Sequence, residues 1–129
     1  MKKQDYVNYW VKTSADDLSS MESIFGAGNN DWALFIGHLC LEKILKALWV
    51  KNNETDFPPR THNLKKLADE AKFSMGEGDS IKLLEINDFN IEARYPDYKS
   101  DFYKKCSKEF TIAYITQIKE LYQCILSQI

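Results

Sequence analysis

The sequence predicts an all-α fold, a bundle of five helices forming one domain over residues 1–129. Three observations point there. The stretch from Asp31 to Lys51, DWALFIGHLCLEKILKALWVK, is apolar almost all the way round when wound at about 100° per residue. Trp32, Ile36, Leu39 and Val50 fall on one side, and Leu34, Leu41, Leu45 and Leu48 on the other. Every glycine and proline except Gly37 falls in a connector, and no run alternates apolar and polar residues between turn signals as a strand would.

The first helix spans roughly residues 5–25 and collects Val7, Trp10, Val11, Ser14, Leu18, Met21 and Phe25 on one face, away from Asp16, Ser20 and Ser23. GAGNND ends it: Gly26 or Gly28 suits a left-handed cap, and Asn30 or Asp31 suits the next N-cap. So short a connector makes the first two helices antiparallel neighbours. The second helix, Asp31–Lys51, is too evenly apolar for a surface helix. Glu42, Lys43 and Lys46 interrupt it before the ~20 residues that a membrane span needs, so it reads as the central helix of a soluble bundle.

NNETDFPPR is a polar loop long enough to cross the bundle, and Thr61 can cap a short third helix carrying Leu64, Leu67, Ala68 and Ala71. A fourth helix follows Asp79 or Ser80 and stops at Pro96, because the residue before a proline is pushed out of the helical region. Arg94 and Tyr95 then sit at a helix end. PDYKSD leads into the last helix, about residues 102–129, where Cys106, Phe110, Ala113, Tyr114, Ile118, Leu121, Tyr122, Ile125 and Ile129 give the apolar spacing.

A net charge of −2 excludes coating nucleic acid by bulk electrostatics, while leaving room for a local basic patch. Cys40, Cys106 and Cys124 are odd in number and lie in apolar helical patterns, which suits buried free thiols in a reducing cytosol. MKKQDYVNYW has no apolar run, so no signal peptide is expected and a cytoplasmic location is the default. The phosphate-binding, dinucleotide and zinc-protease motifs GxxxxGK[ST], GxGxxG and HExxH are all missing. Carboxylates such as Asp16 and Asp17, or Glu85, Asp88 and Glu92, sit at the spacing of a solvated helix face, so neither a metal site nor a cofactor is expected.

What remains is a constellation of polar residues. His38, Glu42 and Lys46 are spaced i, i+4, i+8 and form one polar stripe on the central helix, flanked by Phe35, Leu45 and Trp49. Lys43 points elsewhere. His62 opens the third helix just after Arg60, and Arg94-Tyr95-Pro96 closes the fourth; Arg60 and Arg94 are the only arginines. A bundle brings these helix ends beside the central helix, so Lys43, Lys46, His62 and Arg94 are expected to converge. Each has a plain structural role as well: His38 as a core histidine, Glu42 as the i, i+4 partner of Lys46, His62 and Asn63 as helix-start residues, and Arg94 at a helix C-terminus whose carbonyls attract a cation. The planar fork of Arg94 also suits a phosphate.

Trp10 with Asp16, Asp17 and Leu18, then His38, Glu42, Lys43, Lys46 and Ala47 as HxxxEKxxKA, then His62, Asn63, Leu64 and Leu67 as HNLxxL, then Ala93 to Asp97 as ARYPD, together resemble the HEPN family of small helical domains. The four pieces occur in order over nearly the whole chain. The resemblance implies a five-helix up-and-down bundle, usually a homodimer, often encoded beside a minimal nucleotidyltransferase in a toxin–antitoxin-like pair and associated with nucleotide or RNA binding. The constellation makes Lys43, Lys46, His62, Arg94 and Tyr95 the candidate ligand site of such a module. Many family members are metal-independent ribonucleases in which four to six residues stand between an arginine and a following histidine. Here His62 follows Arg60 by two residues and no histidine follows Arg94, so a noncatalytic binding module is expected. A ribonuclease toxin with a degenerate site is the alternative, and a purely structural dimer is a third reading. Tyr6, Tyr9, Tyr98, Phe102 and Tyr103 exceed what one small core holds, which fits a dimer interface or a nucleotide base.

Overall fold

A computed structural model describes residues 2–129, all of whose regular elements are helices. They are α1 (Lys3–Gly26), α2 (Asn30–Asn52), α3 (Leu64–Glu70), α4 (Asp79–Asn87), α5 (Phe89–Glu92), α6 (Pro96–Lys105) and α7 (Lys108–Ser127). No helix among the described residues is long and apolar enough to cross a membrane.

The all-round apolar pattern of α2 has the consequence expected of it: α2 packs against all six other helices, and Leu34, Leu41, Ile44, Leu45, Leu48 and Val50 are completely buried. The antiparallel pairing with α1 is visible in its contacts, since the Lys3 ammonium reaches the carbonyls of Val50 and Asn53 at 2.8 Å each. A cation at the C-terminal end of α2 satisfies acceptors that the helix leaves without partners. Lys51 does the same for the chain end, donating to the carbonyls of Gln128 and Ile129.

Gly37, in the first half of α2, sits where three helices crowd. A Cβ there would lie 2.6 Å from Ile118 Cδ1 of α7 and 2.9 Å from Met21 Sδ of α1, so the missing side chain lets both helices close on α2. The conformational cost of a mid-helix glycine, about 1 kcal/mol, is offset by that close packing.

Several boundaries differ from the sequence expectations, each for a local reason. Gly28, at φ +87°, is the left-handed residue after α1, and Asn29 rather than Asn30 or Asp31 precedes α2; the Asn30 side chain instead donates to the Cys106 carbonyl. Asn63 caps α3 by accepting from the Lys66 amide at 3.1 Å, while Thr61 accepts from the Asn63 amide one step earlier. The fourth helix is interrupted at Asp88, whose dihedrals stay helical, so hydrogen-bond regularity is lost without a change of backbone region. PDYKSD is not a connector: Tyr95 is extended as a residue before proline must be, and Pro96, lacking an N–H, then serves as the first residue of α6. Ser107 caps α7 from outside, so the last helix starts at Lys108 instead of near residue 102.

Phe102, expected among the surplus aromatics, is in the core against Phe89, and Tyr6 is half-buried against Phe57; Tyr9, Tyr98 and Tyr103 are exposed. Burial pushes the Cys40 and Cys106 thiols up to about 12, so both stay protonated.

The close approach at Gly37 predicts that Gly37→Val will lower the folding free energy by about 1–3 kcal/mol through overpacking, as read from urea unfolding. A variant at least as stable as the parent would mean that α1 and α7 do not close on this position.

Candidate functional site

The site is built around Glu42, whose position in the middle of α2 buries its carboxylate to 7% side-chain exposure. An ionised carboxylate removed from water needs donors, and Glu42 has one on each oxygen. One turn further along α2, the Lys46 ammonium donates to Oε2 at 3.1 Å and stands 5.4 Å from the centroid of the Trp10 ring. From the loop before α3, His62 donates its Nδ1–H to Oε1 at 2.7 Å. Because Nδ1 carries that proton, the neutral His62 ring presents Nε2 as an acceptor, and its side chain is 60% exposed.

The His62 loop is fixed from below as well. His38, one turn before Glu42 and fully buried, donates Nε2–H to the His62 carbonyl at 3.0 Å. Its other nitrogen, Nδ1, is buried without a hydrogen-bond partner among the described residues. Burial brings the His38 pKa down from 6.5 to about 4, against the opposing pull of the Glu42 carboxylate and the His62 carbonyl. His38 is therefore a neutral core histidine that holds backbone. Asn87 also anchors the loop by accepting from the Leu64 amide at 3.0 Å.

Above this base lies an open cleft of about 550 Å³ lined by Thr61, His62, Asn63, Asn87, Asn90, Ile91, Arg94 and Tyr95. Arg94 follows α5 and donates Nε–H to the Asn90 carbonyl at 2.9 Å, which caps a helix end as the plain structural role requires. Its terminal nitrogens have no hydrogen-bond partner among the described residues, and the guanidinium carbon lies 5.4 Å from the Phe35 ring and 5.6 Å from the Tyr95 ring. Asn90 Oδ1 is buried at the cleft and also unpartnered.

The expected convergence of four cations is partial. His62, Arg94 and Tyr95 share the cleft, and Lys46 reaches it only through Glu42. Lys43 is turned to α1, where its ammonium pairs with Asp17 at 2.8 Å. The pairing of Glu42 with Lys46 is the i, i+4 contact the spacing suggests, while its second partner, His62, was not legible in the spacing. Nor were Asn87 and Asn90, whose only signal is an amide every third residue just before ARYPD.

The depressed His38 pKa gives a pH prediction. With a folded value near 4 below an unfolded value of 6.5, keeping His38 neutral contributes stability above pH 6.5 that is lost as the pH falls from about 6.5 to 4, on the order of 3 kcal/mol. His38→Gln keeps a donor for the His62 carbonyl without a titrating ring, so its unfolding free energy should fall less steeply over that window. Parallel profiles for parent and variant would contradict the assignment.

Comparison with known proteins bears on the fold and the family. The fold is similar to that seen in the crystal structure of TT1696 from Thermus thermophilus, with a TM-score of 0.82 at 15% identity over 95% of this chain and 98% of that one. No curated protein matches the sequence. The HEPN domain model matches residues 7–128, which contain the α2 stripe, the His62 loop and the Arg94 helix end. By that match, spanning almost its whole length, the chain belongs to the HEPN domain family.

Proposed function

We propose that this chain is a noncatalytic HEPN module that binds the phosphate of a nucleotide or RNA in the cleft between the start of α3 and the end of α5. The observation that carries this reading is the pairing of Arg94 and His62 on one open cleft, with Glu42 and His38 holding His62 from beneath. A guanidinium whose terminal N–H groups lack protein partners is a ready phosphate donor, and the Tyr95 ring beside it offers a surface for a base. Lys46 contributes through Glu42, and Lys43 through long-range field only, since Asp17 offsets its charge. The module acts in the cytoplasm as a homodimer and partners a minimal nucleotidyltransferase in a toxin–antitoxin-like pair; the exposed Tyr9, Tyr98 and Tyr103 are available for such contacts.

One observation favours a second reading, a degenerate ribonuclease. A carboxylate that fixes a histidine by Nδ1 and leaves Nε2 free is the arrangement of a general base, and Arg94 on the same cleft could stabilise charge on a phosphate.

Both readings are separated on the same samples. A charge-assisted phosphate contact contributes about 1.5–3 kcal/mol, so Arg94→Ala should weaken binding of a nucleotide or short RNA more than tenfold while circular dichroism shows an intact fold. The same RNA, incubated in metal-free buffer, should remain uncut. Cleavage abolished in both Arg94→Ala and His62→Ala would establish the enzyme reading, and equal binding by parent and Arg94→Ala would refute the cleft as the site.

A further inference from the structure

Beside the cleft runs a feature that the phosphate reading does not use. Tyr95 on the cleft wall is followed, through direct ring contacts, by Arg94, Phe35, Trp32 and Lys99. Arg94 Cζ is 5.6 Å from the Tyr95 centroid and 5.4 Å from that of Phe35; Phe35 and Trp32 meet edge to face at 5.5 Å; Lys99 Nζ stands 4.5 Å from the Trp32 centroid. Aromatic rings and cations thus share one continuous strip from the end of α5, across the first turns of α2, to α6. Trp32 is 39% exposed and Tyr95 51% exposed, and Tyr103, one turn beyond Lys99 on the same side of α6, is 66% exposed.

The composition of this strip is selective. A core would bury its aromatics and a salt-bridged surface would pair its cations with carboxylates, yet no carboxylate pairs with Arg94 or Lys99 among the described residues. Rings with π-faces interleaved with cations match a polymer that alternates flat bases with phosphates, since each base has a face to stack and each phosphate a charge to meet. Duplexes hide their base faces, so the match is to a single strand.

We propose that the strip Tyr95–Arg94–Phe35–Trp32–Lys99 is a stacking platform for a single-stranded oligonucleotide whose terminal phosphate lies in the His62–Arg94 cleft. The proposal rests on the phosphate reading of that cleft and extends it from one nucleotide to several. On binding, a base takes the Trp32 face from Lys99, because base stacking is the stronger of the two contacts at an exposed site, and the flexible Lys99 side chain moves to the adjacent phosphate. A protein of net charge −2 binds such a strand chiefly by stacking. Two phosphate contacts give a log–log salt slope of only about −1.4.

The experiment titrates uridine monophosphate and eight-nucleotide oligouridylate and oligothymidylate against the parent, Trp32→Ala, Lys99→Gln and Arg94→Ala, with circular dichroism and sedimentation on each. In the parent, the octamers should bind at least tenfold more tightly than the monophosphate. Trp32→Ala should remove about tenfold of octamer affinity with monophosphate binding unchanged, Lys99→Gln should flatten the salt slope, and Arg94→Ala should weaken every ligand. Comparing the two octamers tells whether the 2′-hydroxyl contributes. If the parent binds octamer and monophosphate alike, or if Trp32→Ala and Lys99→Gln leave octamer binding intact, the platform is refuted while the phosphate site stands. If Trp32→Ala converts a dimer into a monomer without altering octamer affinity per chain, the strip is an interface between copies, which also overturns the proposal. Should Trp32→Ala unfold, the salt slope of Lys99→Gln decides alone. Binding of none of the three ligands by the parent removes both proposals together.

Discussion

A carboxylate buried in a helical bundle must be hydrogen-bonded and charge-paired, and much of the local architecture answers that requirement at Glu42. Leaving such a group without partners costs several kcal/mol, a large share of the net stability of a domain this size. Lys46 answers it from within α2, at no cost in topology. His62 answers it from a loop that must return across α2, and the turn that brings it there is fixed by Pro58 and Pro59, by the Asn63 cap and by the bond from the Leu64 amide to Asn87. The polar interior and the placement of α3 are thus one constraint seen from two sides.

That constraint also explains why the polar stripe lies on the most apolar helix. A solvated stripe would exchange partners with water, whereas Glu42 and His38, buried and bonded to Lys46 and the His62 loop, can hold one geometry. Rigid support beneath an exposed imidazole is what separates an oriented donor or acceptor from a mobile surface histidine. Arg94 differs in kind: its Nε is spent on a helix end, and its terminal nitrogens, beside the Phe35 and Tyr95 rings, have no hydrogen-bond partner among the described residues. The cleft therefore combines one group positioned from the core with one positioned by a helix terminus.

The central helix, its antiparallel partner and the Glu42–Lys46 pair were legible because each follows from periodicity along one element. Gly37 was visible as an anomaly, though its reason, the approach of Met21 and Ile118, is a three-helix contact that no linear pattern encodes. The errors cluster where two local rules compete. Thr61 and Asn63 are both capping residues, and the one whose side chain reaches the Lys66 amide prevails; Pro96 both ends a helix and begins one, and the pattern before it advertises only the first role. Lys43 illustrates the limit for the site: its spacing placed it off the stripe, but that it would be held by Asp17 depends on how α1 rotates against α2. The His62–Glu42 contact spans twenty residues of sequence and a loop, so no spacing along one element encodes it.

The central claim is that Glu42 holds His62 by Nδ1 and turns Nε2 to the cleft. Nitrogen NMR of the imidazole rings at a pH where His62 is neutral tests this directly. The account predicts His62 in the Nδ1–H form, opposite to the form that a free histidine side chain prefers, with a return to the Nε2–H form in Glu42→Leu. A neutral His62 carrying its proton on Nε2 in the parent protein would contradict it.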